Sequence, residues 1–150
     1  IEAFQLKDWP NSPGTIDLGG GRVIDLIPLP GHQEAAVAFY DRKTGIMLSG
    51  DSFYPGRLYI GDWKQFTASI NRLVDFTAAH PVTHFLGNHI EQTRTPYLDY
   101  PIGTKYQPHE HSLELGRGEL LELQDALNKQ NGIPARVALR DLTIWPVKPK

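Results

Sequence analysis

Apolar residues in the first third of the chain occur in short runs separated by turn-forming residues. Residues 8–14 contain two prolines and a glycine, which predicts an exposed loop. Residues 15–18 and 22–29 are apolar runs on either side of the glycines at positions 19–21, and this arrangement predicts a β-hairpin. A phosphate-binding loop is disfavoured, because no loop lysine follows the glycines and no helical pattern begins after them.

Two further strands are predicted at residues 35–41 and 44–50, with a tight turn at residues 41–45 between them. The second run is apolar at nearly every position. Such a run is typical of a strand covered on both faces, so we expect both sides of this strand to be buried.

The pattern changes to helical at residues 62–79, where apolar side chains recur about every 3.6 residues. Asp62 is suited to the N-cap position, and Pro81 follows the predicted end. Residues 82–87 then form a short apolar run that predicts another strand.

A second helix is predicted from Leu113 or Gly116 to Asn131, where glycine and proline follow. Residues 135–147 alternate and contain β-branched residues, which predicts a strand or a hairpin. Strands followed by helix, strand, helix and strand are typical of a layered α/β domain. The length of 150 residues fits one such domain, spanning residues 1–150.

Composition narrows the classes of function. The 15 lysines and arginines against 17 acidic residues leave a net charge of −2, so there is no basic excess to attract nucleic acid. The longest apolar runs fall far short of the ~20 residues of a membrane-spanning helix. Cysteine is absent, so any metal site must use histidine and carboxylate. Neither this absence nor the lack of a signal-peptide pattern decides between a cytoplasmic and an exported protein.

Three predicted strands end in turns that carry a potential metal ligand. These residues are His32 after Leu29-Pro30-Gly31, Asp51 after Leu48-Ser49-Gly50 and His89 after Phe85-Leu86-Gly87-Asn88. Alone, each is more simply interpreted as a loop histidine or a turn aspartate. A carboxylate at the end of an apolar strand is costly unless it is paired or bound to metal. Together the three supply the ligand types of catalytic zinc.

The order of these turns resembles that of the metallo-β-lactamase-fold superfamily of metallohydrolases. Pro30-Gly31-His32, a strand pair ending in Ser49-Gly50-Asp51, a helix, and a strand ending in Gly87-Asn88-His89 carry the resemblance, which extends over residues 15–90. It implies an α/β fold, namely half of an αββα sandwich with a mixed β-sheet flanked by helices.

The resemblance also implies a site for two zinc ions. His32 would complete the ligand set of the first metal, Asp51 would bridge the two metals and His89 would bind the second. No catalytic residue beyond these ligands is implied. Metal-bound hydroxide would attack an ester, amide, thioester or phosphoester of a small molecule.

The chain departs from the family pattern in one large respect. The His-x-His-x-Asp-His signature that precedes the Pro-Gly-His turn in the family is absent from this sequence. We therefore expect the chain to be the C-terminal half, incomplete by itself, and the preceding gene segment to encode roughly 80–120 further residues with the signature. The expected partner is the missing N-terminal half or a second copy of the chain.

His109-Glu110-His111 has the His-x-His spacing but lies after His89 and lacks the following Asp-His, so we interpret it as a polar loop before the second helix. The long loop at residues 97–111 is rich in tyrosine and proline, and such loops are often functional. As candidate substrate-binding residues the sequence offers five side chains: Tyr54, Tyr59, Tyr106, His109 and His111.

Two other interpretations remain open. The chain is alternatively a catalytically inactive binding or assembly domain that keeps the family shape without a full metal site. A single metal held by His32, Asp51 and His89 alone is a third interpretation, disfavoured because the family assigns these groups to two metals.

Overall fold

The computed structural model describes residues 6–148. Within them the chain forms nine strands and two helices. The strands are β1 (Gly14–Asp17), β2 (Val23–Pro28), β3 (Val37–Asp41), β4 (Ile46–Gly50), β5 (Arg57–Ile60), β6 (His84–Gly87), β7 (Glu114–Leu115), β8 (Val137–Ala138) and β9 (Thr143–Pro146). The helices are α1 (Trp63–Ala79) and α2 (Arg117–Lys129).

Six strands form a mixed sheet in the order β1-β2-β3-β4-β6-β7. The first four strands are joined antiparallel, as the predicted hairpins require, whereas β4 and β6 are parallel and α1 connects them. A smaller sheet has the order β5-β9-β8. The predicted α/β class with a mixed sheet and packed helices is confirmed, and the chain forms a partial sandwich of sheet and helix layers.

Both helices pack on one face of the six-stranded sheet. Buried side chains of α1, including Phe66 and Ile70, share a core with Leu120 and Leu123 of α2 and with Met47 of β4. Along each strand, alternate residues point to this core. Burial of this apolar surface is the main favourable contribution to folding.

Helix α1 begins where its capping residue predicts. The side chain of Asp62 accepts hydrogen bonds from the backbone and the side chain of Gln65, at 2.9 Å each. At the other end His80 is the C-cap residue, and its ring stacks on Phe76 with the centroids 4.1 Å apart. The predicted N-cap and the predicted end of the helix are both confirmed.

The structure corrects one expectation and decides between two alternatives of another. Strand β4 is not covered on both faces, because Leu48 points away from the helices and 49% of its surface is exposed. For helix α2 the structure selects the later of the two predicted starts, after Gly116, because residues 114–115 pair with β6 as strand β7. An apolar run indicates that a strand is buried, but it does not indicate which other part of the protein packs on each face.

The sequence analysis missed strand β5. It runs parallel to β9, with Arg57 opposite Thr143 and Ile60 opposite Pro146. Residues 135–147 form the predicted hairpin, β8 and β9, to which β5 adds as a third strand. Between residues 6 and 148, no helix has the length and apolar character required to cross a bilayer.

Candidate metal centre

The three candidate ligands follow strands that run in the same direction. Strand β3 is antiparallel to both β2 and β4, and β4 is parallel to β6, so β2, β4 and β6 all end at one edge of the sheet. His32, Asp51 and His89 lie in the turns directly after these strands. Sheet topology therefore gathers residues that are far apart in sequence.

The turn before His32 is packed tightly against α1. Gly31 has a φ of +138°, and a Cβ atom placed on it would lie 2.5 Å from Cα of Phe66. The carbonyl oxygen of Gly31 accepts hydrogen bonds of 3.0 Å from the amides of Gly61 and Asp62. Only glycine fits this position, and the turn is held rigidly where His32 begins.

The ring of His32 is oriented by strand β5. Its Nδ1 atom lies 2.7 Å from the carbonyl oxygen of Tyr59. Because a carbonyl oxygen can only accept, Nδ1 carries a proton, and in the neutral ring the lone pair is on Nε2. Histidine ligands of metals are commonly oriented by such a bond from the other ring nitrogen.

Asp51 lies between the two histidines. Nε2 of His32 is 3.6 Å from Oδ2 of Asp51, and Nε2 of His89 is 3.1 Å from Oδ1. Each carboxylate oxygen therefore faces one imidazole nitrogen. Side-chain exposure rises from 19% for His32 to 31% for Asp51 and 57% for His89, so the group opens to solvent on the His89 side.

One atom of this group lacks a partner that its chemistry requires. Oδ1 of Asp51 is buried, and although Nε2 of His89 lies 3.1 Å away, this oxygen accepts no hydrogen bond from any residue between positions 6 and 148. A buried carboxylate oxygen without a donor is costly, and a cation beside it would remove that cost. Likewise, the lone pair on Nε2 of His32 faces Oδ2 of Asp51, and two acceptors repel unless a proton or a cation lies between them.

The donor set fits zinc in type, but it is not a closed site. Two imidazoles and a carboxylate are ligands that catalytic zinc takes. In the part of the chain that the structure describes, no group of three or more His, Cys, Asp or Glu side chains converges as a metal site. The arrangement is two histidine–aspartate pairs sharing Asp51, so further ligands are needed to complete coordination.

A cleft of about 630 Å³ opens beside His32. It lies between the turn at residues 31–34 and the start of α1, and Tyr59, Glu34 and Gln65 line it. Of the five candidate substrate-binding residues, Tyr59 is the one that borders this cleft.

The other four candidates lie elsewhere. Tyr54 is buried, with 2% of its surface exposed, and its ring packs edge-on against His89 with the centroids 5.4 Å apart. Tyr106 is 80% exposed. The backbone amide of His109 donates to the Tyr100 hydroxyl at 2.9 Å. His111 places Nε2 3.3 Å from Asp141, which ties the loop to the β8–β9 hairpin.

The structure adds Arg57 and Glu91, which the sequence analysis did not single out. Arg57 is buried, and its guanidinium pairs with the carboxylate of Glu91 at 2.9 Å. The signal available in the sequence was the run Arg57-Leu58-Tyr59-Ile60, a short β-like segment between two glycines. Its partner strand, β9, lies so far along the chain that no local sequence pattern indicates the pairing.

No protein-family model matches the chain, and no curated protein matches it significantly. Among solved structures it is similar to a metallo-beta-lactamase family protein from Thermus thermophilus, at 17% sequence identity and a TM-score of 0.49. The similarity covers 83% of this chain and 38% of that protein. The chain thus spans well under half the length of this structural neighbour, and the similarity by itself assigns no activity to it.

Proposed function

We propose that this chain is the C-terminal half of a zinc-dependent hydrolase, with His32, Asp51 and His89 as metal ligands. The observation that carries the proposal is the position of Asp51, whose two carboxylate oxygens each face the Nε2 atom of a different histidine, at 3.6 and 3.1 Å. A carboxylate between two imidazoles supplies the ligand types that catalytic zinc takes, and these three residues would hold the metal. The buried Oδ1 of Asp51, which accepts no hydrogen bond from residues 6–148, supports the same role.

Each residue has a defined part in this proposal. His32 presents the lone pair of Nε2 because its Nδ1–H donates to the carbonyl oxygen of Tyr59, and Asp51 would supply the negative charge that holds cations at the strand ends. Zinc, when bound, lowers the pKa of water and polarises a substrate oxygen. The substrate class stays broad: a small-molecule ester, amide, thioester or phosphoester reaching the ligands through the open His89 side.

The proposed partner is an N-terminal half carrying the missing ligands, which packs on the outer face of the six-stranded sheet. We define the outer face as the row of Phe39, Leu48 and Leu86, which are paired across three neighbouring strands on the side away from the helices. An apolar row at the centre of a sheet, with Leu48 half exposed, supports a second layer there.

Cobalt titration of the protein tests the ligand assignment, because Co²⁺ replaces Zn²⁺ in such sites and absorbs visible light. Removing a residue that only orients a metal ligand typically lowers metal affinity by about 10–100-fold. Since Asp51 is itself a proposed ligand, we expect Asp51→Ala to lower the affinity for Co²⁺ by at least this factor. Glu114→Ala is the matched control. Glu114 also pairs with a histidine, His84, at a distance of 2.7 Å, and this pair lies outside the candidate metal site. Equal Co²⁺ affinity in the two variants would refute the proposal.

The alternative function is a catalytically inactive binding or assembly domain. Two observations favour it: the exposed Leu48 on the outer face, and the lack of a converging three-ligand group among residues 6–148. Metal analysis separates the two functions. A purified protein that contains no stoichiometric metal and keeps its full thermal stability in chelator would support the binding domain over the hydrolase.

A further inference from the structure

We infer that the Arg57–Glu91 ion pair is a positioning element that holds His89 beside Asp51. The inference rests on the proposed function for the role of His89 as a ligand. The arrangement itself consists of contacts that lie outside the group of His32, Asp51 and His89. Neither Arg57 nor Glu91 touches the metal position in this proposal, so both act through His89.

His89 needs support from outside its own turn. Its side chain is 57% exposed, and it follows the last residue of β6 by two positions. An exposed imidazole on a turn loses rotamer freedom when it binds a metal, and this loss lowers the affinity unless neighbouring groups fix the ring beforehand.

Glu91, two residues after His89, is held twice by Arg57. The backbone amide of Arg57 donates to Oε2 of Glu91 at 2.8 Å, and Nη2 of Arg57 donates to Oε1 at 2.9 Å. The amides of Glu91 and Gln92 also donate to the carbonyl oxygen of Pro55, at 2.8 and 3.1 Å. The segment that carries His89 is therefore fixed against the start of β5.

The guanidinium of Arg57 is itself held in one orientation. Nη1 donates to the carbonyl oxygen of Tyr100 at 2.7 Å, and Nε donates to the hydroxyl of Tyr59 at 3.1 Å. Asp99 lies 3.6 Å from Nη1. With 5% of the residue exposed, this planar group cannot swing away, so its Nη2 atom fixes where the carboxylate of Glu91 lies.

A second contact connects the same strand to the imidazole. The hydroxyl of Tyr54 donates to the carbonyl oxygen of Arg57, and the ring of Tyr54 packs edge-on against His89. Strand β5 thus acts on His89 from two sides, through Glu91 in the chain and through Tyr54 against the ring. It also orients His32 through Tyr59, so one strand positions both histidines.

The test compares Glu91→Gln with Asp25→Asn. Both replace a carboxylate bound twice by an arginine, because Asp25 accepts from Nε and Nη2 of Arg42 at 2.8 and 2.7 Å. Asp25 lies near the start of β2, whereas His32 follows the end of that strand. The two changes remove similar interactions, but only the first is next to His89.

The first readout is proton NMR of the metal-free protein. We expect Glu91→Gln to weaken the ring-to-ring contact between His89 and Tyr54 and to change the ring-current shift of His89, while Asp25→Asn leaves both signals as in the wild type. A loss of stability alone would not move these signals selectively. An unchanged His89 signal in Glu91→Gln would overturn the inference, whatever the metal content.

The second readout is Co²⁺ affinity. We expect a loss of about tenfold for Glu91→Gln, the low end of the 10–100-fold range for partners of metal ligands, and no loss for Asp25→Asn. Equal losses in both variants would overturn the positioning role. If Glu91→Gln does not fold, Arg57→Lys keeps the positive charge and removes the bond from Nη2 to Glu91, and an unmoved His89 signal there overturns the inference as well. Failure of the proposed function is distinguishable, because it appears as an unaltered Co²⁺ affinity in Asp51→Ala.

Discussion

The Nδ1 atom of His32 lies 2.7 Å from the carbonyl oxygen of Tyr59, so a backbone group in β5 selects the tautomer of a candidate metal ligand. The acceptor belongs to the main chain of a buried strand and cannot be removed by a side-chain substitution. The ring nitrogen that faces Asp51 is consequently the one with the free lone pair.

This relationship predicts the tautomer of His32 in solution. In the neutral form we expect the proton on Nδ1 and an unprotonated Nε2, which the ¹⁵N chemical shifts of the two ring nitrogens report directly. His109, whose ring accepts or donates no hydrogen bond within residues 6–148, provides the internal reference. A His32 ring with its proton on Nε2 would contradict the assigned hydrogen bond and the ligand role that depends on it.

The close packing around Gly87 predicts that adding a single methyl group there lowers the stability of the protein. A Cβ atom at this position would overlap the side chain of Tyr54 and lie 2.9 Å from the carbonyl oxygen of Phe53. We expect Gly87→Ala to destabilise the protein by about 1–3 kcal/mol, the usual cost of overpacking. Urea denaturation measures this change.

The control for that substitution is Gly118→Ala. A Cβ atom at Gly118 meets nothing within 4 Å, and the residue lies in α2, where alanine is preferred over glycine. We expect an unchanged or slightly higher stability. Similar destabilisation in both variants would show that the close approach of Gly87 to Tyr54 is not what limits this position.

Asp62 predicts an acid-dependent contribution to stability. Hydrogen bonds from the backbone and side chain of Gln65 hold the pKa of Asp62 below its ordinary value of 3.8. Since the folded-state pKa is depressed, the stabilisation is fully present above pH 3.8 and is lost as the pH falls through the lower folded-state pKa. We expect Asp62→Ala to cost about 1 kcal/mol at neutral pH and this difference to shrink in acid.

Thermal denaturation across this pH range measures the effect. Asp75→Ala is the control, because Asp75 is an exposed carboxylate in the interior of the same helix and caps nothing. A constant difference between wild type and Asp62→Ala from neutral to acidic pH would mean that the carboxylate charge does not contribute to the cap.

The exposed Leu48 tests the proposed N-terminal half, which would cover the outer face. If a second layer covers it there, Leu48→Glu should destabilise the complete protein by about 2 kcal/mol or more, the scale of losing one buried leucine. Leu121→Glu is the matched control, since Leu121 is 38% exposed on α2, away from the outer face. Equal stabilities of the two variants in urea denaturation would argue against a covering layer.

Local patterns in the sequence were sufficient for most elements. The N-cap at Asp62, the 3.6-residue period of α1 and the hairpin around the glycines at positions 19–21 depend on neighbours a few residues apart, and all three were predicted. Strand directions also follow from these elements, since two hairpins and a strand–helix–strand unit place β2, β4 and β6 in one orientation. The proximity of His32, Asp51 and His89 depends also on the pairing of β4 with β6, which the structure supplies.

Contacts between distant segments were decided by the tertiary structure. Strand β5 exists as a strand because residues 143–146 lie beside it, and a parallel pairing over that sequence distance leaves no local signature. The same pairing buries Arg57, brings Glu91 and Tyr54 to it and orients His32 through Tyr59. The sequence alone identified the candidate ligands. The packing of remote segments determined which groups orient their side chains, because hydrogen-bond partners separated by tens of residues depend on the fold and not on a repeating pattern.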